Sequence, residues 1–139
     1  MKVYRYMGMV EFNHMLWGAD IIGRNSFENM RTTSDGVCFL TETVEGKTDF
    51  GEEISYSAVD AYWFLMGIVS DDVLVEFEVA DDFFNHTYGN YCHAPFNDCD
   101  MTIGELCTPF YNREICKPLR YCVPNIYSTE NPPRWFDCH

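Results

Sequence analysis

Residues 73–79, Val-Leu-Val-Glu-Phe-Glu-Val, carry the clearest strand pattern in the chain. The odd-numbered positions hold three valines and Phe77, and the even-numbered positions hold Leu74, Glu76 and Glu78. Alternation with a period of two, with β-branched and aromatic residues on one side, predicts a half-buried strand. Aspartates bracket the stretch at 71–72 and 81–82, and aspartate is unfavourable inside strands. The rest of the chain must therefore cover the valine and phenylalanine face.

The N-terminal segments alternate between strand and helix patterns. Lys2–Met7 is short and tyrosine-rich, which predicts a strand. Apolar residues then recur at helical spacing over 9–17, with Gly8 as the N-cap and Glu11 as a capping-box partner. Residues 37–40, Val-Cys-Phe-Leu, form a continuous apolar run and predict a buried strand.

A second helix is predicted over residues 57–69, directly before the strand at 73–79. Ser57 is a favourable N-cap, and apolar residues follow at helical spacing. We expect this apolar stripe to pack against the odd-numbered face of 73–79; it comprises Ala58, Ala61, Tyr62 and Leu65. The charged, glycine-bearing segment 42–53 is expected to be an exposed connection.

The C-terminal third has a different character. Residues 81–100 mix aromatic residues with Asn, His, Gly and Pro, which indicates a long, ordered, irregular loop. Residues 119–123 predict one more strand, and Trp135 and Phe136 are expected to dock back onto the body. The sequence therefore predicts a single α+β domain over 1–139, mostly antiparallel sheet with two short helices.

Charge is distributed very unevenly along the 139 residues. The net charge is −13, and residues 41–100 carry 14 acids with Lys47 as their only base. Such a surface repels nucleic acid and membrane phosphates and attracts a basic protein partner. A solvated face that keeps an aromatic-rich chain dispersed is the alternative interpretation. The composition leaves the oligomeric state open.

The chain contains 7 cysteines and no N-terminal apolar stretch typical of a signal peptide. An odd cysteine count without an export signal favours reduced thiols in a cytoplasmic protein. No Cys-x-x-Cys pair occurs, so we expect no bound metal. The alternative is a structural zinc held by Cys92, His93, Cys99 and Cys107.

Several stretches together resemble the ADP-ribosyltransferase-like superfamily. They are Val3-Tyr4-Arg5-Tyr6 followed by a short helix, the strand led by Ser34-Asp35-Gly36, and the helix 57–69 feeding the strand 73–79. Gly89-Asn90-Tyr91 adds to the likeness, which covers roughly the first 90 residues.

The resemblance implies an NAD-binding domain in which Arg5 and Ser34 act with a late glutamate. Arg5 would hold the diphosphate or ribose, while Ser34 or Thr33 would steady the nicotinamide ribose and Tyr91 would line the cofactor site. Glu114, or else Glu105, would stabilise the oxocarbenium-like transition state. Neither glutamate stands in a Gln-x-Glu or Glu-x-Glu context, so the resemblance is compatible with an inactive domain.

The chain also resembles small acidic inhibitors of phages and mobile elements, including anti-CRISPR-like proteins. Such proteins place carboxylates where nucleic-acid phosphates would bind a basic enzyme. The resemblance implies a partner-binding edge made of Asp71, Asp72, Glu76, Glu78, Asp81 and Asp82. A cleft joining Arg5, Ser34 and a glutamate would favour the enzyme, and a continuous acidic edge would favour the inhibitor.

Overall fold

In the computed structural model, most of the described residues lie in antiparallel β-strands, and the described part of the chain contains one helix. The residues described are 1–18, 21–22, 32–33, 36–61, 73–83, 86–93, 100–108, 110–111, 114–124 and 133–138. The elements, in chain order, are β1 (Lys2–Met7), α1 (Met9–Leu16), β2 (Ile21–Ile22), β3 (Thr32–Thr33), β4 (Gly36–Thr41), β5 (Thr43–Thr48), β6 (Glu53–Ser57), β7 (Val73–Glu78), β8 (His86–His93), β9 (Asp100–Thr108), β10 (Phe110–Tyr111), β11 (Lys117–Cys122) and β12 (Phe136–Asp137).

Ten of these strands form one sheet in the order β12-β11-β7-β1-β4-β9-β5-β6, with β3 beside β4 and β8 beside β9. Strands β2 and β10 pair separately. Every pairing between described strands is antiparallel. The predicted α+β class with a mostly antiparallel sheet is confirmed at this level.

Strand β7 lies inside the sheet, between β1 and β11. Its odd-numbered residues are buried as predicted, with Val75 and Phe77 fully enclosed. The expected half-burial is wrong, because Leu74 and Glu76 on the opposite face are also buried. A strand paired on both edges and covered on both faces can expose only its ends, and Glu78 is exposed there.

Two apolar layers cover the opposite faces of the central strands. The α1 layer packs Phe12 and Met15 against Val75 and Phe77, together with Val3, Met7, Phe39, Val73, Val79 and Cys116. The other layer joins Leu74 to Ala58 and Ala61, together with Tyr4, Tyr6, Leu40, Val44 and Cys122. The predicted packing of the 73–79 valines on Ala58 and Ala61 is therefore wrong. Helix α1 covers that face, and Leu74 meets the alanines.

The second predicted helix, over residues 57–69, is not confirmed, because residues 58–61 form a turn and the rest of the span lies outside the described residues. The Ser57 hydroxyl accepts a hydrogen bond from the Asp60 backbone N–H at 3.1 Å, and the Ala61 N–H donates to the Ser57 carbonyl at 2.9 Å. These two bonds close the turn 58–61 at the end of β6. Residues 62–70, including Tyr62 and Leu65, lie outside the described part of the chain.

Two segments predicted as connections form strands instead. Segment 42–53 supplies β5 and the start of β6, because Val44 and Thr48 turn inward while charged residues between them face out. Segment 81–100 supplies β8, which pairs along its whole length with β9. Cross-strand pairing outweighs the weak strand propensity of Asn, Gly and Asp in both cases.

No helix in the described residues is long and apolar enough to cross a membrane.

Candidate functional site

Arg5 is enclosed in the α1 layer. Its side chain is 0% exposed, and that of Glu11 on α1 is 1% exposed. Two hydrogen bonds join them, from Nε to Oε2 at 3.0 Å and from Nη2 to Oε1 at 2.8 Å. This bidentate pair is a strong arrangement for a buried guanidinium, and the Phe39 ring lies 5.8 Å away. Arg5 therefore offers no donor to a nucleotide in solvent, and Glu11 pairs with it rather than completing a capping box.

The other residues implied by the ADP-ribosyltransferase resemblance are spread over separate elements. Thr33 ends β3 opposite Gly36, and Tyr91 lies in β8 opposite Thr102. Glu114 is exposed in the turn before β11, and Ser34 lies outside the described residues. Arg5 is 0% exposed and reaches no surface cleft in the described part of the chain.

Glu76 does not present its carboxylate to a partner. It is 1% exposed and accepts two hydrogen bonds from Arg120 of β11, at 3.0 and 2.9 Å. The Tyr4 hydroxyl donates a third at 3.0 Å, and Lys2 Nζ lies 3.9 Å away. Burial raises the pKa of Glu76, but the bonds from Arg120 and Tyr4 outweigh it and hold that pKa below its ordinary value. Assigning Glu76 to a partner-binding edge was wrong, since β11 supplies its counter-charge.

The C-terminal segment covers this ion pair. The Arg120 guanidinium lies 4.3 Å from the centre of the Trp135 ring, and Trp135 also contacts Tyr4 with ring centres 6.4 Å apart. Phe136 stacks on Tyr121 at 5.5 Å. Trp135 packs against the layer that contains Tyr4, whereas Phe136 is 42% exposed, and β12 pairs with β11.

The remaining acids of the predicted edge lie at the end of β7, beside the N-terminus. The Met1 ammonium is 3.1 Å from Asp81 and 3.5 Å from Glu78, and the hydrogen bond to Asp81 raises the pKa of the ammonium. Asp81 is 92% exposed, and Asp82 is exposed as well. Asp71 and Asp72 lie outside the described residues. Charge at this end of β7 is thus partly balanced within the chain.

Segment 42–60, which contains the β5–β6 hairpin, carries the largest set of exposed carboxylates in the described residues, and its one cation, Lys47, lies opposite Glu53. Residues 42–60 hold six acids and Lys47, a net charge of −5, and the six are Glu42, Glu45, Asp49, Glu52, Glu53 and Asp60. All six are exposed, and none forms a salt bridge with a described residue. We call these six residues the hairpin acids.

The hairpin has a defined shape. Its tip is a three-residue loop in which the Gly51 N–H donates to the Thr48 carbonyl at 3.0 Å, and Gly51 has φ +87°. A glycine in this conformation is typical of a hairpin closed by a bulge. Phe50 projects from the tip, 77% exposed. A cavity of about 590 Å³ lies against the strands and is lined by Glu45, Gly46, Lys47, Glu53, Ile54 and Ser55.

Two cysteine thiols serve as apolar core residues. Cys116 and Cys122 are both 0% exposed, and burial raises the pKa of Cys116 above its ordinary value and that of Cys122 to about 12. Within the described residues, no group of three potential metal-ligating side chains converges. The proposed zinc ligand Cys99 lies outside those residues, so the zinc alternative stays a prediction.

Comparison with family models, curated proteins and solved structures finds no match to this chain.

The hairpin acids were missed by sequence reasoning, which assigned segment 42–53 to a connection and placed the binding edge on β7. The alternation of Val44, Gly46 and Thr48 with exposed residues was the available signal.

Proposed function

We propose that this chain is a cytoplasmic acidic binding protein that inhibits a basic nucleic-acid-binding protein by presenting carboxylates in place of phosphates. The observation that carries the proposal is segment 42–60 around the β5–β6 hairpin, where six exposed acids form no salt bridge with a described residue. An inhibitor of phage or mobile-element type, as the sequence resemblance implies, has this charge distribution.

The hairpin suits binding better than the β7 edge does. Glu76 is neutralised by Arg120, and Glu78 and Asp81 lie beside the N-terminal ammonium. Carboxylates already paired within the chain gain less from a cationic partner than unpaired ones. Phe50 at the hairpin tip adds an aromatic contact, and aromatic residues are enriched among those that dominate interface energies.

A second function, catalysis with NAD, has weaker support. It depends on Arg5, which is bonded to Glu11 beneath α1, and on Ser34, which lies outside the described residues. The ADP-ribosyltransferase-like hypothesis and the NAD site remain predictions carried by the sequence resemblance. The helix over 57–69 remains a prediction from the Ser57 cap and the apolar spacing.

Competition with DNA tests the proposed function. Fluorescence anisotropy of labelled nona-arginine should report binding by this chain, and duplex DNA should displace the chain because both present repeated negative charge to the same peptide. Affinity should fall steeply as salt rises, since the Debye length shrinks from about 10 Å at 0.1 M to about 3 Å at 1 M. The proposal is refuted if nona-arginine does not bind at low salt, or binds with no salt dependence.

A further inference from the structure

Strand β6 forms one end of the ten-stranded sheet. It pairs with β5 on one side, and no described residue pairs with its outer side. Natural edge strands are usually protected by proline, lysine, a bulge or a covering segment. The β6 sequence, Glu-Ile-Ser-Tyr-Ser, contains neither proline nor lysine.

The hydrogen-bond register defines which backbone groups face outward. The Thr48 N–H donates to the Glu52 carbonyl, and the Ala58 N–H donates to the Glu42 carbonyl. In an antiparallel pair, bonded residues alternate with residues whose N–H and C=O point away from the partner. The outward residues of β6 are therefore Glu53, Ser55 and Ser57.

Within the described part of the chain, most of these outward groups have no hydrogen-bond partner. The Ser57 carbonyl accepts from Ala61, so it is already used. The N–H and C=O of Glu53 and Ser55, and the N–H of Ser57, make no hydrogen bond with a described residue. This row of donors and acceptors can hold one additional strand.

From these features we infer that the outer edge of β6 binds an extended basic segment of the partner protein by β-strand addition. The inference rests on the proposed function and locates its binding surface. The negative charge of segment 42–60, which is −5, favours a basic segment as the added strand. A second copy of this hairpin would be repelled because it carries the same charge. Arg or Lys opposite Glu53 would form a favourable cross-strand pair. The cavity lined by Glu45, Lys47 and Glu53 lies beside this edge.

Proline at position 55 tests the inference directly. Ser55 lies opposite Glu45 in a pair that does not exchange hydrogen bonds, so Ser55→Pro removes an outward N–H and leaves β5–β6 pairing intact. Ser55→Ala removes the same hydroxyl but keeps the N–H, which makes it the matched control. Circular dichroism and thermal denaturation verify that both variants fold.

The probe is a labelled octapeptide of alternating Arg and Thr, with an alternating Glu and Thr peptide as the charge control. We expect the arginine peptide to bind the wild type and Ser55→Ala equally, and to bind Ser55→Pro at least tenfold more weakly. The glutamate peptide should not bind. Amide exchange at Glu53, Ser55 and Ser57 should slow when the arginine peptide is added.

A modified peptide keeps the test independent of how the proline variant folds. Methylating every backbone nitrogen of the Arg-Thr peptide leaves its charge unchanged but removes the N–H donors of both edges, so wild-type affinity should fall at least tenfold. Equal binding of the methylated and unmethylated peptides refutes strand addition, and the proposed function still stands. Failure of both nona-arginine and the Arg-Thr peptide to bind refutes the proposed function itself.

Discussion

Removing the carboxylate of Glu11 should destabilise the fold strongly. Glu11 is the bidentate partner of Arg5, and both side chains are almost completely enclosed beneath α1. Glu11→Ala leaves a buried guanidinium without its counter-charge, a change that costs about 3–5 kcal/mol in comparable buried pairs. Domains of this kind have a total unfolding free energy of about 5–15 kcal/mol, so the loss would be a large fraction of the stability.

Urea denaturation followed by tryptophan fluorescence measures this effect. Glu52→Ala, which removes an exposed glutamate at the hairpin tip, is the control and should change stability by less than about 0.5 kcal/mol. Replacing the pair together, Arg5→Met with Glu11→Leu, should recover most of the lost stability, because two apolar side chains need no charge partner. A loss below about 1 kcal/mol for Glu11→Ala would refute the burial of this pair and reopen Arg5 as a nucleotide ligand.

Three further predictions concern the core, the β7–β11 ion pair and the thiols. Val75→Ala should lower the free energy of unfolding by about 1–3 kcal/mol in urea denaturation, since Val75 is fully buried; an unchanged midpoint would contradict its position. The folded pKa of Glu76 lies below its ordinary value, so its contribution to stability is present above the ordinary glutamate pKa and is lost as pH falls through the folded pKa. Glu76→Gln should therefore flatten the acid limb of a stability–pH curve, and an unaltered limb would argue against the Arg120 pairing. Iodoacetamide at pH 8 should leave Cys116 and Cys122 unmodified in native protein and alkylate both after unfolding, as measured by mass spectrometry; rapid native labelling would contradict their burial.

Local patterns in the sequence were sufficient for the central strands and α1. Lys2–Met7 is β1 as predicted, and residues 37–40 fall within β4. The odd-numbered face of β7 is buried as expected. Helix α1 and the odd-numbered face of β7 have apolar residues at one clear period, whereas residues 37–40 are a continuous apolar run, and both patterns indicate burial.

Contacts between segments distant in sequence could not be predicted from local sequence patterns. The Glu76–Arg120 pair joins residues 44 positions apart, and only the register of β7 with β11 brings them together. The Arg5–Glu11 pair depends on α1 folding back over β1, which leaves no periodic trace in the sequence. The β5–β6 hairpin was mistaken for a connection because its exposed face is charged, although its inward residues alternate normally.

Two variants of equal charge test most directly whether the hairpin acids form the binding surface. Glu45→Gln, Glu52→Gln and Glu53→Gln together remove three charges from the hairpin. Glu78→Gln, Asp81→Asn and Asp82→Asn remove three from the end of β7, and both variants start from the same net charge of −13. Side-chain size is almost unchanged in each substitution, so both proteins should stay folded.

Stopped-flow association with labelled nona-arginine, at low and high salt, compares the two variants. The hairpin variant should associate at least tenfold more slowly than the wild type at low salt, and the β7 variant should slow by less than about threefold, because local charge steers encounter more than total charge does. The difference between the variants should shrink at high salt. Equal slowing of both variants, or greater slowing of the β7 variant, would contradict the assignment of binding to the hairpin.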